Sequence, residues 1–365
     1  MRTRPSGVAA AAAQLRVLHA VVAGLDPPVL GALRRRALGD PRIEDSTVGG
    51  VPAVVFRPAR GSGPWPALLF YSGATRRGRL HPAFLGLGRA LAATGHLAAV
   101  AEPTGVGVGE LQLPALDDAL AAARALASSP EARGGRVGLA GVSVGAMLAL
   151  VVAAEADLAG RVSVVLALAP CCDVALAARV VTTDTYPSGD GLATFVPGGF
   201  SRLVVARSLT ASLPESKSRE ALRRLLLDVP DDADDPLGPL REQASEKFDV
   251  DARALVALFA NRDPARFDEL YDALPDAVRV AVGRISPITC AAGIRAPVEV
   301  VVGREDKYLP LADCERYEAA CPAARLTVLD SLVHAVPRAS FREVRDVARL
   351  DGALVRALAS VRSPG

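Results

Sequence analysis

Three side chains scattered over the 365 residues could together cleave an acyl bond: Ser143, Asp306 and His334. Serine is a poor nucleophile at neutral pH and needs a base. Imidazole can take and return a proton there, and a carboxylate fixes the imidazole tautomer and stabilises the imidazolium. Ser143 stands in Gly141-Val142-Ser143-Val144-Gly145, between an apolar run that reads as a buried strand and another that reads as a helix, 146–154. A serine on so sharp a strand-to-helix turn has its Oγ held out at the top of a sheet, and the two glycines let neighbouring backbone pass where a Cβ would collide. The helix start also aims backbone N–H groups, above all that of Val144, at an oxyanion formed by attack of the serine. The plainer reading of the same five residues is an ordinary strand–turn–helix with a serine cap.

Those side chains need a scaffold, and the hydrophobic pattern supplies one. Strands are expected at 51–57, 67–71, 96–101, the run before Ser143, 161–169, 298–302 and 325–329, with 51–57 and 67–71 opening the sheet as a pair. Helices are expected at 82–93, 114–128, 146–154, 311–320 and 340–360. This alternation specifies an α/β fold: a mostly parallel central sheet with helices on both faces. Such sheets collect function at the carboxyl ends of their strands. Ser143 lies there, as do Asp306 in Gly303-Arg304-Glu305-Asp306-Lys307-Tyr308-Leu309-Pro310 and His334 in Asp330-Ser331-Leu332-Val333-His334. Glu305 and Asp173 are rivals for the acid. His81, which begins helix 82–93, reads as a helix-start histidine rather than a base.

Between 173 and 285 the rhythm breaks, and no clear buried strand occurs in a stretch far longer than an ordinary connection. It reads as a helical cap or lid inserted into the core. Ser212-Leu213-Pro214-Glu215 has capping-box spacing, and helices are expected at 251–259 and at 263–274, the latter with Asp263 as cap and Pro264 at its first position. The acidic run 228–235 reads as a solvated loop. Phe195, Phe200, Phe248, Phe259, Phe267 and Tyr271, among many Leu and Val, hint at an apolar acyl pocket. The competing reading of the insertion is a dimerisation or purely structural element, so a homodimer stays open.

Composition narrows the partners. The chain is 50% hydrophobic and 22% charged with a net charge of +2, which gives no electrostatic reason to expect nucleic acid. Gly105, Gly107 and Gly109 form G-x-G-x-G without the helix start of a dinucleotide fingerprint. Five cysteines, at 171, 172, 290, 314 and 321, form no C-x-x-C pair and argue against zinc, with a Cys314–Cys321 disulfide left open. The N-terminal arginines and alanine run read as an amphipathic helix over 8–25 rather than a signal peptide, followed by a second helix over 28–38. No stretch is long enough to span a membrane, and a cytoplasmic location is expected. The organisation is thus 1–45 as a helical segment, 46–172 and 286–365 as the core, and 173–285 as the insertion.

In its elbow pentapeptide, its acid loop after 298–302 and His334 after the last strand, taken in the order serine, acid, histidine, the chain resembles the α/β-hydrolase family, over 51–360. More narrowly it looks like the esterase or dienelactone-hydrolase-like branches. The resemblance implies a serine hydrolase that cleaves a small to medium, apolar carboxylic ester through an acyl-enzyme, with no metal or organic cofactor. It also implies that the loop Ser72-Gly73-Ala74-Thr75-Arg76-Arg77-Gly78 supplies the second oxyanion donor, the Ala74 N–H. Many members carry His-Gly where this chain has Ser72-Gly73. Two other readings keep the fold: a non-catalytic binding protein, and a thioesterase, amidase or acyltransferase using the same triad.

Overall fold

Eight of the strands join one sheet in a computed structural model that describes residues 36, 39–242, 247–334, 336–337 and 343–362. They are β1 (Arg42–Val48), β2 (Val51–Arg57), β3 (Trp65–Tyr71), β4 (Leu97–Ala101), β5 (Ala132–Val142), β6 (Val162–Leu168), β9 (Val298–Gly303) and β10 (Ala324–Leu329); β7 (Thr185–Ser188) and β8 (Gly191–Thr194) form a separate hairpin. The spatial order is β1-β2-β4-β3-β5-β6-β9-β10. Everything from β4 to β10 runs parallel, while β1 with β2 and β2 with β4 are antiparallel. Helices α1 (Pro82–Ala93), α2 (Leu113–Ser128), α3 (Val144–Ala153), α11 (Leu311–Ala320) and α12 (Glu343–Arg362) belong to this core; α4 to α10 belong to the insertion described below.

Two expectations need correction. β2 and β3 are not partners, because β4 lies between them. β3 is buried along its whole length and so takes a parallel neighbour on each side, leaving β2 to pair with β4 and with β1. β1 itself has no apolar signature, being mostly exposed, and it starts inside the segment expected to be helical, 1–45. What makes it a strand is the hairpin turn Gly49-Gly50, both at positive φ (61° and 85°), which sets the register Val48↔Val51 to Arg42↔Arg57. The helices expected over 8–25 and 28–38 lie, Arg36 apart, outside the described residues.

The parallel strands hold two cores apart. Ala67, Leu69 and Tyr71 of β3 face one side with α2 and α3, whereas Leu68 and Phe70 pack on the other, towards α1 and α12. The Tyr71 hydroxyl is satisfied within this core by donating to the Ala119 carbonyl at 2.7 Å. All ten residues of α3 are buried, the condition of a helix apolar on every side.

The insertion contains α4 (Val174–Thr183), the β7–β8 hairpin, α5 (Gly199–Ala211), α6 (Lys217–Asp228), α7 (Gly238–Arg241), α8 (Val250–Ala260), α9 (Phe267–Asp272) and α10 (Asp276–Ile285). Asp263 caps a 3-10 turn, Pro264–Arg266, that leads into α9, matching the expected start there. The capping box does not form. Ser212 closes α5, its Oγ donating to the Ser208 carbonyl at 2.9 Å, and the cap of α6 is Ser216, which accepts from the Arg219 N–H at 3.1 Å. Helices α4, α5 and α10 carried no expectation: α5 buries Leu203 and Leu209 together with the polar Arg207, Ser208 and Thr210, and α4 and α10 bury mainly alanine and valine, so none shows a continuous leucine stripe.

Salt bridges fasten the insertion to the core. Arg223 forks onto the buried Glu110 at 2.7 and 3.0 Å, and Arg76 in the loop after β3 reaches Asp231 at 3.1 Å. The acidic run is therefore not simply solvated. Asp231 also accepts from the buried Arg207, which donates in addition to the carbonyls of Val108, Leu226 and Val229. Arg207→Met would leave the buried Leu226 and Val229 carbonyls without this donor, and would take one donor each from the Val108 carbonyl and the Asp231 carboxylate. It is expected to destabilise the protein by about 3 kcal/mol or more, read as a lower urea midpoint at unchanged slope.

Candidate active site

The elbow forms as its glycines require. Ser143 sits between β5 and α3 at φ 55° and ψ −123°, a strained backbone for any side chain. A Cβ on Gly141 would lie 2.3 Å from the Gly145 carbonyl group, and one on Gly145 would lie 2.3 Å from the Tyr71 oxygen. Neither position tolerates alanine. The Ser143 N–H donates to the Leu168 carbonyl at 2.8 Å, which ties the strained residue to β6.

Asp306 and His334 meet in the way their loops suggested. His334 Nδ1 lies 3.0 Å from Asp306 Oδ2. Asp306 Oδ1 accepts the backbone N–H groups of Tyr308 at 2.8 Å and Leu309 at 3.4 Å, so both carboxylate oxygens are used as acceptors. A carboxylate oxygen facing Nδ1 selects, for the neutral ring, the tautomer with its proton on Nδ1 and the lone pair on Nε2. The Tyr308 ring stands edge-on to the imidazole with centroids 4.4 Å apart, fixing its plane from the other side. Burial, and after it the Asp306 charge, raises the Tyr308 hydroxyl above its ordinary range, so the ring packs as a neutral phenol. Asp306→Asn should lower the turnover number by about 10⁴-fold, because the amide would favour the wrong tautomer while leaving the packing unchanged. Steady-state kinetics on the folded variant check this.

Ser143 and His334 line one cavity of about 80 Å³ with Asp306 and Val144. Among the described residues the Ser143 hydroxyl has no hydrogen-bond partner, so Ser143 and the imidazole share the cavity without a direct bond. Four non-glycine residues among those described adopt positive φ, and three of them, Ser143, Ala169 and His334, line this cavity. Strain concentrates where function is expected.

The N–H groups of Val144 and Ala74 donate to no other described residue. Val144 lines the cavity, whereas Ala74 is half-buried outside its wall; Gly73 makes the close approach, its hypothetical Cβ lying 3.1 Å from Val142 and 3.7 Å from Ser143 Cβ. Ser72 is fully buried and its Oγ has no partner among the described residues. Asp173, the rival acid, is engaged elsewhere: it caps α4, accepting from Ala175 and Leu176 at 3.1 Å, and pairs with Arg316. His81 caps α1 through Nδ1, as a helix-start histidine does. All five cysteines are free.

The remaining wall is apolar. From the insertion, α5 presents Phe200, Ser201, Val204, Val205 and Ser208 along one face, joined by Val174, Ala177 and Ile285. The core adds Leu111, Met147, Val302 and Leu309. Both serine hydroxyls are already used: Ser208 Oγ accepts the Leu111 N–H and donates to Val204, and Ser201 Oγ donates to Gly198. No Lys, Arg or Glu lines the cavity among the described residues. Of the insertion's aromatic residues only Phe200 reaches it. Phe259 and Phe267 are instead buried in the hydrophobic cluster that continues from one face of the sheet into the insertion, where the Phe267 ring contacts both the Tyr271 ring and the Arg179 guanidinium. Tyr308, which braces the imidazole, was not singled out by its sequence context, since the contact arises only when the acid and histidine loops meet.

The strand order, the crossovers and the elbow define an α/β-hydrolase fold, and the chain is an α/β-hydrolase-fold protein. It is similar to the acylaminoacyl peptidase of Pyrococcus horikoshii at 12% identity and a TM-score of 0.51, covering 88% of this chain and 42% of the peptidase. It is also similar to Est1E from Butyrivibrio proteoclasticus at 12% identity, 88% and 99% coverage and a TM-score of 0.48. For the HSL-homolog EstE7 from a metagenome library the values are 15% identity, 96% and 97% coverage and a TM-score of 0.48. No family profile matches the sequence. No curated protein sequence matches it either. Among the described residues no helix is long and apolar enough to cross a membrane.

Proposed function

We propose that the protein is a serine hydrolase acting on carboxylic esters with a small to medium, uncharged, apolar acyl or alcohol group. The observation that carries this reading is the His334–Asp306 bond at 3.0 Å, in a cavity that also holds Ser143. His334 Nε2 takes the Ser143 proton, the alkoxide attacks the ester carbonyl, and the N–H groups of Val144 and Ala74 hold the oxyanion. The imidazolium returns its proton to the leaving alcohol. Water, deprotonated by the same imidazole, then releases the acyl group. The insertion acts as a lid that supplies the apolar wall and excludes water.

Substrate charge is disfavoured by the wall itself. With no Lys or Arg among the described lining residues, and the Ser201 and Ser208 hydroxyls of the insertion already committed, an anionic acyl group would be buried without a counter-charge. The test is fluorophosphonate labelling of the purified full chain, followed by a panel of p-nitrophenyl esters that includes a hemisuccinate. Labelling is expected, with neutral acyl groups preferred over the hemisuccinate by about tenfold or more in kcat/KM. A well-folded protein that the probe leaves unlabelled would instead favour the non-catalytic reading of the fold.

A further inference from the structure

Behind the cavity wall lies a second group of reactive side chains that hydrolysis does not use. Cys172 lies in the short loop after β6, just before Asp173, the cap of α4, while Asp313 and Cys314 occupy the first turn of α11. All three are buried, and their two sulfurs and a carboxylate oxygen lie within 4.8 Å of one another. Asp313 Oδ2 accepts the Cys172 N–H at 2.7 Å, but Oδ1 is buried with no hydrogen-bond partner among the described residues. The nearby Arg316 is paired with Asp173 instead. No other trio of His, Cys, Asp and Glu among the described residues has this spacing.

We propose that Cys172, Cys314 and Asp313 bind one thiophilic divalent cation of the Zn²⁺ or Cd²⁺ class, entering from the catalytic cavity, whose wall includes Cys314. Two sulfurs and one oxygen suit such an ion, and the sequence expectation of no zinc site looked only for C-x-x-C and histidine spacing. Metal–sulfur bonds of about 2.3 Å and metal–oxygen bonds of about 2.0–2.2 Å require donors closer together than they stand here, a contraction of roughly an ångström. The orphaned Oδ1 becomes a ligand. On binding, each S–H bond is replaced by a sulfur–metal bond, and the two thiol protons, with the carboxyl proton where present, pass to solvent. No oxidant or reductant is involved, and the inference does not depend on ester hydrolysis.

The experiment is a Cd²⁺ titration of the reduced, chelator-treated full chain, followed by thiolate-to-cadmium charge-transfer absorption in the ultraviolet and by equilibrium dialysis. One ion per chain is expected, displaced by Zn²⁺, with cadmium-edge X-ray absorption reporting two sulfur neighbours. Cys172→Ala should abolish the band while keeping the far-ultraviolet circular dichroism, and Asp313→Asn should keep the band and weaken binding by about tenfold or more. An absent band, a band undiminished in Cys172→Ala, or fewer than two sulfurs around cadmium in the wild type would overturn the assignment. The last of these needs no variant to fold.

Discussion

Ser143→Ala is expected to lower the turnover of a p-nitrophenyl ester by on the order of 10⁶-fold, towards the background left by binding and the oxyanion donors alone. The same variant should lose fluorophosphonate labelling completely. Its fold should survive, because the backbone conformation at φ 55° is imposed by neighbours rather than by the hydroxyl: Gly141 and Gly145 leave room for the turn, and the Ser143 N–H bond to Leu168 does not involve the side chain. Alanine suffers the same strain as serine there. Circular dichroism and a thermal melt beside the wild type separate loss of chemistry from loss of structure. Substantial turnover in a folded Ser143→Ala protein would remove the serine from the mechanism.

Gly303→Ala is expected to reduce turnover by about 10²-fold or more without touching any reacting group. Gly303 ends β9, three residues before Asp306, and a Cβ there would lie 2.0 Å from the Leu332 oxygen and 3.6 Å from the His334 N–H nitrogen. The obstacle is backbone, which cannot rotate aside as a side chain can. To clear it, the loop from β10 to His334 must retreat by more than an ångström, and the imidazole would retreat from Asp306 and Ser143 with it. Overpacking of this kind also destabilises by about 1–3 kcal/mol. Gly283→Ala is the matched control: it lies within α10, its Cβ would meet nothing within 4 Å, and the helix should gain about 0.5–1 kcal/mol with unchanged kinetics. Equal losses in both variants would show that the effect is not specific to the meeting of the two loops.

Both expectations show where a one-dimensional reading succeeds. The elbow was legible because its physics is local: a buried apolar strand, glycines on either side of Ser143 and an all-apolar helix are contiguous in the chain, and the structure reproduces them. Asp306 and His334 were legible because each follows a strand whose apolar run is unmistakable, and parallel strands deliver their trailing loops to one end of the sheet. β1 was missed because its stability comes from pairing with β2 and from the Gly49-Gly50 turn, with little burial of its own. The expectation of a capping box at Ser212 fails because Ser, Leu, Pro and Glu at the right spacing do not reveal that α5 is only then ending and that the next helix is capped by Ser216.

The sequence by itself determined the alternation of strand and helix and the strained serine turn, since each follows from neighbours in the chain, and it placed Asp306 and His334 in loops that follow parallel strands. Only the tertiary structure decided that Asp306, rather than Asp173, meets the imidazole, that Tyr308 braces it, that α5 presents an apolar face to Ser143, and that Cys172 faces Asp313 and Cys314. Those contacts join residues far apart in sequence. They form because buried groups must find partners wherever the packed sheet brings loops together, and no local pattern records which loops those are.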